Sequence, residues 1–312
     1  MKILVTGSTG LVGTALVRKL AGAGHTVWRL MRPESATRAG TKDGFDVPWN
    51  PATGELGGAG VGADAVVNLS GASIAERRWG AERKSVLRSS RVDATRALVA
   101  ALAKMNARPS VLVSASAIGI YGNRGDELLT EESASGSAFL ASLAQDWEAE
   151  ALKAEALGIR VVLARFGIIL ARHGGALAKM ILPFKFGAGG KIGSGHQWMS
   201  WVTLEDTVEI LRFALENAAV RGAVNVVAPN AATNSEFTKE LAKAMHRPAL
   251  FPAPAFALRL ALGEMADALL LSSQRVAPQK LQHLGYRFLH PDLPTAFSAV
   301  LSSGKSRPSF CV

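Results

Sequence analysis

Three glycines recur at three-residue spacing near the start of the chain, in the run Thr6-Gly7-Ser8-Thr9-Gly10-Leu11-Val12-Gly13. The chemistry that this spacing serves is the binding of a pyrophosphate. Gly7 permits a tight turn, Gly10 lets the phosphates approach bare backbone, and Gly13 lets the following helix pack close to the strand. A helix N-terminus then offers unpaired N–H groups and the positive end of its dipole. Glycine turns occur in many folds, so the elements around this one decide its meaning. The apolar strand Ile3-Leu4-Val5 precedes it, and a helix from Leu11 to Ala21 follows with Leu11, Ala15, Leu16 and Leu20 on one face. A second strand runs from Thr26 to Leu30, which completes a βαβ unit. The pattern is that of a dinucleotide site formed by Gly7, Ser8, Thr9, Gly10, Leu11, Val12 and Gly13.

About twenty residues beyond the glycines, such sites carry an acidic side chain that accepts from the ribose 2′-OH of NAD. This chain has Arg32 there, with Arg29 and Arg38 nearby. A guanidinium at that point suits a 2′-phosphate, so the expected cofactor is NADP. Further strands are expected at Phe45 to Trp49, Asp64 to Leu69, Ser110 to Ala115, Arg160 to Ile169 and Ala223 to Val227. The stretch Ala65-Val66-Val67 is continuous in apolar residues, as a parallel strand buried on both faces should be. Helices are expected over Ala81 to Lys104, up to Gly158, and behind the boxes Thr203-x-x-Asp206 and Thr233-x-x-Glu236. The fold class is therefore α/β, a doubly wound parallel sheet of the Rossmann type with a smaller C-terminal lobe. Strand ends then bring Leu69, Ser70, Gly71 and Ser114 to the cofactor at the carboxyl edge of the sheet.

The glycine pattern, Asn68-Leu69-Ser70-Gly71, the run Ser114-Ala115-Ser116-Ala117 and Tyr121-Gly122 together resemble the extended short-chain dehydrogenase/reductases, the NAD(P)-dependent epimerase/dehydratase group. The resemblance implies hydride chemistry with an Asn, a Ser and a Tyr-x-x-x-Lys pair, the tyrosine passing the proton and the lysine lowering its pKa. Only the serine matches, at Ser116. Arg91-Val92-Asp93-Ala94-Thr95 stands where the family has Asn-Val-x-Gly-Thr, and Phe139-Leu140-Ala141-Ser142-Leu143 where it has Tyr-x-x-x-Lys. The two tyrosines, Tyr121 and Tyr286, are followed four residues on by Gly125 and His290, so no displaced pair exists. Phenylalanine and leucine transfer no protons. In a substituted mechanism Ser116 would position the substrate oxygen, and Tyr121, Arg91, Arg165 or a water would supply the proton or stabilise charge. The alternative is an NADP-binding sensor or interaction protein without catalysis.

Between Gly174 and Trp201 glycines alternate with cations and tryptophans, which reads as a loop that clamps an anionic, partly flat ligand through Lys191, His196, Gln197, Trp198 and Trp201. Its part from Gly187 to Trp201 is expected to act as a lid. With Arg165-x-Gly before it, and Gly263-Glu264-Met265, Gln274-Arg275-Val276 and Gly285-Tyr286-Arg287-Phe288 after it, the segment resembles the atypical "epimerase family proteins" that end in a domain of unknown function. The organisation expected is a cofactor domain over 1–170, completed by the strand near 223–228, a substrate lobe over 171–302, and a frayed tail over 303–312.

Composition sets outer limits. The 312 residues are 48% hydrophobic, enough for one large core with an appended lobe. The net charge of +10 is spread along the chain, with 19 basic and 16 acidic residues in 1–160 against 16 and 9 in 161–312. No basic block with interleaved aromatics appears, which argues against nucleic acid and leaves a small anionic substrate as the partner. The single cysteine, Cys311, excludes an intrachain disulfide and a cysteine metal cluster, and no metal site is expected. Pro252, Pro254 and Arg259 interrupt the longest apolar stretch, so a cytoplasmic protein without a membrane partner is expected.

Overall fold

The computed structural model describes residues 1–32, 45–57 and 62–302. Arg38 and the tail 303–312 lie outside them. Short apolar runs alternate with helical spacing through the first half of the chain, and each run becomes one strand of an eight-stranded sheet. The strands are β1 (Lys2–Thr6), β2 (Thr26–Met31), β3 (Phe45–Asn50), β4 (Glu55–Leu56), β5 (Ala65–Asn68) and β6 (Val111–Ala117). After β7 (Leu128–Leu129) come β8 (Arg160–Phe166), β9 (Ile168–Leu170), β10 (Trp198–Met199), β11 (Trp201–Thr203) and β12 (Gly222–Val226). Across the sheet the order is β12-β8-β6-β5-β1-β2-β3-β4, parallel except for the antiparallel β3–β4 edge. Strand order reverses at β1, with β2 on one side and β5 on the other, and this is the switch point where a doubly wound sheet opens a crevice.

Burial on both faces explains why the central strands are so apolar. Ile3, Val5, Val67 and Val113 face one layer, which holds α1 (Leu11–Gly22) and the later helix Leu204–Glu216. Leu4, Val66, Leu112 and Val161 face the other, packed by Leu98, Leu102 and Ala151. That second layer contains α2 (Ala81–Arg88), α3 (Ala94–Ala103) and α4 (Phe139–Leu152). A single π-helical turn, Ser89–Asp93, joins α2 to α3 where one continuous helical region is expected from the sequence. Residues 204–226 thus return to the sheet from beyond residue 170, as α6 (Leu204–Glu216) and β12.

One difference from the expected elements lies just past the sheet. The stretch from Gly174 is not a loop throughout, because α5 (Gly175–Lys185) occupies its first half. Leu177, Ile181 and Phe184 point inward at helical spacing, and glycines at both ends with Pro183 inside obscure that pattern in the sequence. These side chains join Leu170, Trp201, Phe237, Leu241 and Phe297 in a separate lobe core. That core is completed by α7 (Asn234–Met245) and the C-terminal helix Leu293–Ser302. A Thr233/Glu236 capping box starts α7 as the sequence predicts, whereas at α6 only half of the expected box forms: Thr203 accepts from the Asp206 N–H, and the Asp206 carboxylate accepts from the Leu289 and His290 N–H groups instead. The expected sixth strand from Arg160 to Ile169 breaks at Gly167 instead of running through. A Cβ there would lie 2.7 Å from the Ser200 carbonyl oxygen, and β9 beyond it pairs with β11.

Candidate functional site

The turn between β1 and α1 has the geometry that its glycines imply. Gly7 has φ +63°, and a Cβ on Gly13 would lie 2.2 Å from the Gly7 carbonyl oxygen, so neither position accepts a side chain. Gly10, extended at φ −75°, is the N-cap of α1, donates its N–H to the Gly7 oxygen at 3.0 Å, and supplies no capping side chain. The first turn of α1 also carries no acidic residue. The Gly10 N–H is thus already used, and the N–H groups of Thr9, Leu11 and Val12, with the dipole of α1, stay available to an anion.

A buried polar knot holds the strand ends beneath this turn. The Asn68 amide donates to Thr95 Oγ1 at 2.8 Å and to Ser114 Oγ at 3.2 Å, while its Oδ1 accepts from Thr6 Oγ1 at 2.8 Å. Trp147 Nε1 also donates to Thr95 Oγ1. Ser114 is fully buried here, so it supports the site from behind and does not face a ligand. Ser8 is similarly buried and donates to Met31 Sδ, tying the turn to the end of β2. Leu69 and Ser70 are half-buried, and Gly71 is exposed, on the segment that leaves β5 beside the turn. At the end of β2, Arg32 is exposed, whereas Arg29 is buried and ion-paired with Asp46. The pair with Asp46 removes Arg29 as a helper to Arg32.

Three of the four residues expected to do chemistry meet, but in the interior. Arg165 grips Glu148 with two bonds of 2.8 Å, and Ser116 Oγ donates to Glu148 Oε1 at 2.6 Å. The remaining Arg165 nitrogen donates to Tyr121 Oη at 2.9 Å and to the Glu131 carbonyl at 3.2 Å, and Tyr121 donates onward to Asn225 Oδ1 at 2.7 Å. All five side chains of this network are buried. Burial lowers the Arg165 pKa, but the hydrogen bonds and charge of Glu148 more than reverse this and leave it above the ordinary arginine value. Burial pushes the Tyr121 hydroxyl up, against a smaller opposing effect from Arg165. Tyr121 and Arg165, expected to serve a substrate, have their polar atoms engaged with one another and with Glu148, Asn225 and the Glu131 carbonyl. Ser116 is 2% exposed and gives its proton to Glu148.

Arg91 differs. The π turn brings it to Gly71, where a Cβ would come within 3.1 Å of its guanidinium carbon. It is half-buried, donates to the Ala72 and Leu87 carbonyls and stacks over Trp147 at 5.4 Å. Burial and, less, the neighbouring Arg83 push its pKa down to about 10, which leaves it cationic at neutral pH. Single π turns are frequent at functional sites. Around it the carboxyl edge is apolar: Ile74, Trp79, Phe139, Leu140, Phe166, Leu262 and Met265 form one cluster. Phe139 meets the Trp79 ring edge-on at 5.4 Å, and Leu140 packs on Gly119, so the helix that holds the proton-transfer pair in the family presents a hydrophobic wall here.

The stretch 187–201 is tied into the lobe. Phe251 N–H donates to the Gly189 oxygen and Ala253 N–H to the Lys191 oxygen, and a Cβ on Gly190 would fall 2.0 Å from the Phe251 oxygen. Its glycines here serve close backbone approach. Trp201 is fully buried in the lobe core and offers no wall to a substrate. Gln197 is buried too, donating to the Ile192 and Leu270 carbonyls. Trp198 is half-buried, donates to Asp126 and lies under Arg275 at 4.4 Å, while Lys191 and His196 are exposed.

Glu148 and Asn225 escaped the sequence reading, although an acidic residue in register with Ala141, Ala144 and Ala151 on the buried face of α4 was a signal. Among the described residues no group of three or more His, Cys, Asp or Glu is placed to hold a metal ion, and no helix is long and apolar enough to cross a membrane.

Comparison with known proteins agrees with this geometry. The family model for the NAD dependent epimerase/dehydratase family matches residues 3–227, and that for a domain of unknown function (DUF1731) matches 253–300. An epimerase family protein of Mycobacterium leprae is 40% identical over 308 residues, covering 98% of this chain and 96% of its own length. Its counterpart YfhF of Bacillus subtilis is 41% identical over 307 residues, covering 98% and 100%. The crystal structure of the human epimerase family protein SDR39U1 (isoform 2) with NADPH is 32% identical, covers 97% of this chain and 99% of that one, and superposes with a TM-score of 0.85. With the glycine turn, the switch point and the whole length of the chain in agreement, this protein belongs to the NAD dependent epimerase/dehydratase family, in the branch that carries the C-terminal domain of unknown function.

Proposed function

We propose that the protein binds NADP(H) and uses it to reduce or oxidise a small molecule without the family's tyrosine–lysine pair. The observation that carries the cofactor reading is the uncapped start of α1 above the Gly7–Gly13 turn, with exposed Arg32 at the end of the adjoining strand. The pyrophosphate would lie on the N–H groups of Thr9, Leu11 and Val12, close to the bare backbone of Gly10, and the 2′-phosphate on Arg32. The NADPH of the human relative supports this assignment. Bound there, a nicotinamide gives or takes a hydride.

The chain's own contribution to the reaction is electrostatic. Arg91, cationic beside Gly71 and flanked by apolar side chains, would stabilise negative charge on a substrate oxygen in a setting where such a donor acts strongly. The Ser116–Glu148–Arg165 network would hold β6, α4 and β8 in place behind it. The proton would then come from water, since Phe139, Leu140 and Phe166 have none to give and Lys84, over the Phe139 ring, is paired with Glu264. Phe139, Leu140 and Phe166 favour a substrate with apolar surface at its reacting end, and Lys191 and His196 on the lobe would serve its anionic end.

A second reading, an NADP(H) sensor without turnover, is favoured by one observation: Ser116, Tyr121 and Arg165 are all consumed by mutual hydrogen bonds. Single-turnover absorbance of NADPH with a panel of apolar aldehydes, ketones and their carboxylated forms separates the two. Consumption that Arg91→Met slows by about 10²-fold or more supports the enzyme. Tight NADPH binding with no consumption supports the sensor, and failure to bind NADPH overturns both.

A further inference from the structure

We propose that the lobe carries a docking surface for an anionic lipid bilayer, formed by the outer faces of α5 and α8 (Ala255–Leu262). Large apolar side chains are concentrated there and exposed: Leu182 and Phe186 at i, i+4 on and just past α5, and Phe256 and Leu260 at i, i+4 on α8, with Leu250 and Phe251 between them. Phe186, Phe256 and Leu260 are 80%, 73% and 79% exposed. No residue of α8 is fully buried, although Leu258 and Leu262 lean inward, so this helix is apolar on both faces. The chain that leaves α5 and the chain that enters α8 lie side by side, joined by the backbone bonds of Phe251 to Gly189, Ala253 to Lys191 and Gly193 to Ala253.

Charge selects the occupant. Residues 174–193 and 247–263 contain Lys179, Lys185, Lys191, Arg247 and Arg259 and no Asp or Glu. Arg259 is paired with Asp267, and Glu264 with Lys84, at the inner end of α8, which leaves the three lysines and Arg247 around the apolar faces as the net charge. Apolar side chains ringed by cations are what an interfacial surface presents to acidic headgroups, with the rings and leucines entering the acyl boundary. A copy of this chain would offer no matching acidic patch on these segments. The surface also adjoins the site. Arg78, on the segment that leaves β5, reaches the Leu260 carbonyl, and Lys179 of α5 donates to the Ala75 carbonyl of that same segment at 2.5 Å. A bilayer here would sit at the mouth of the apolar cleft. This contact departs from the expectation of no membrane partner, which rested on the interrupted apolar stretch around Pro252, Pro254 and Arg259.

The test is sedimentation of the whole chain with vesicles of phosphatidylglycerol and of phosphatidylcholine. Binding to the anionic vesicles is expected, weakened by salt, and weakened about tenfold or more in Phe256→Ser/Leu260→Ser with an unchanged circular dichroism melt. Lys185→Glu should reduce the preference for anionic vesicles while leaving the melt unchanged. No binding to either vesicle, or equal binding by the Phe256/Leu260 variant, overturns the proposal. So does a concentration-dependent dimer that this variant abolishes in the absence of lipid, which would make the surface an interface between copies.

Discussion

Replacing Arg165 by methionine removes the cation from a buried pair and leaves Glu148 with Ser116 as its one remaining hydrogen-bond donor among the described residues. The two charge-assisted bonds to Glu148 are lost, each worth about 1.5–3 kcal/mol, together with those to Tyr121 Oη and the Glu131 carbonyl. An uncompensated buried carboxylate typically costs about 3–5 kcal/mol, consistent with that sum. Against a total stability of about 5–15 kcal/mol, this one change should remove a large fraction. Adding Glu148→Leu should return most of the loss, because the stranded charge goes with it and an apolar pair of similar size often matches a buried ion pair. The residual penalty is the unpaired Ser116 hydroxyl, about 1–3 kcal/mol. Urea unfolding followed by circular dichroism and by tryptophan fluorescence gives the four corners of the cycle, with coincident transitions required for the comparison. NADPH affinity should stay unchanged in all four proteins. A loss below about 1 kcal/mol for Arg165→Met, as for an exposed pair, would refute the buried-network reading. Intact stability with a large loss of nucleotide affinity would return Arg165 to the binding site.

Arg32→Ala should remove most of an NADPH-over-NADH preference of about 10- to 150-fold, read by calorimetry; equal affinity for both nucleotides in the unmutated chain would sink the assignment. Nucleotide-sugar substrates of ordinary family members should turn over about 10²- to 10⁴-fold more slowly than a placed acid/base allows, and family-typical rates surviving Ser116→Ala would show that the chemistry lies elsewhere. Trp201→Ala should cost about 3–5 kcal/mol by emptying the lobe core, whereas Lys191→Ala and His196→Ala should leave the urea midpoint within error; a tolerated Trp201→Ala would mean that the ring is not packed as described.

Local features carried much of this protein in the sequence. The glycine turn, the strands and the threonine caps at Thr203 and Thr233 are set by neighbours within a few residues, because backbone sterics, alternation and cap hydrogen bonds act over that range. The absence of the tyrosine–lysine pair was equally plain, since no arrangement in space creates side chains that the chain lacks. The helix Gly175–Lys185 was hidden by glycine composition even though Leu177, Ile181 and Phe184 kept helical spacing. What only the tertiary structure decided is which polar groups are free. Arg165 finds Glu148 at a separation of 17 residues and Tyr121 finds Asn225 at 104, and these partners turn apparent catalysts into buried supports. Trp198 and Trp201 stand three residues apart, yet one is half-buried against Arg275 and the other lies in the lobe core. Residue type and spacing determine what chemistry a side chain can perform, but long-range packing decides whether its polar atoms remain available to perform it.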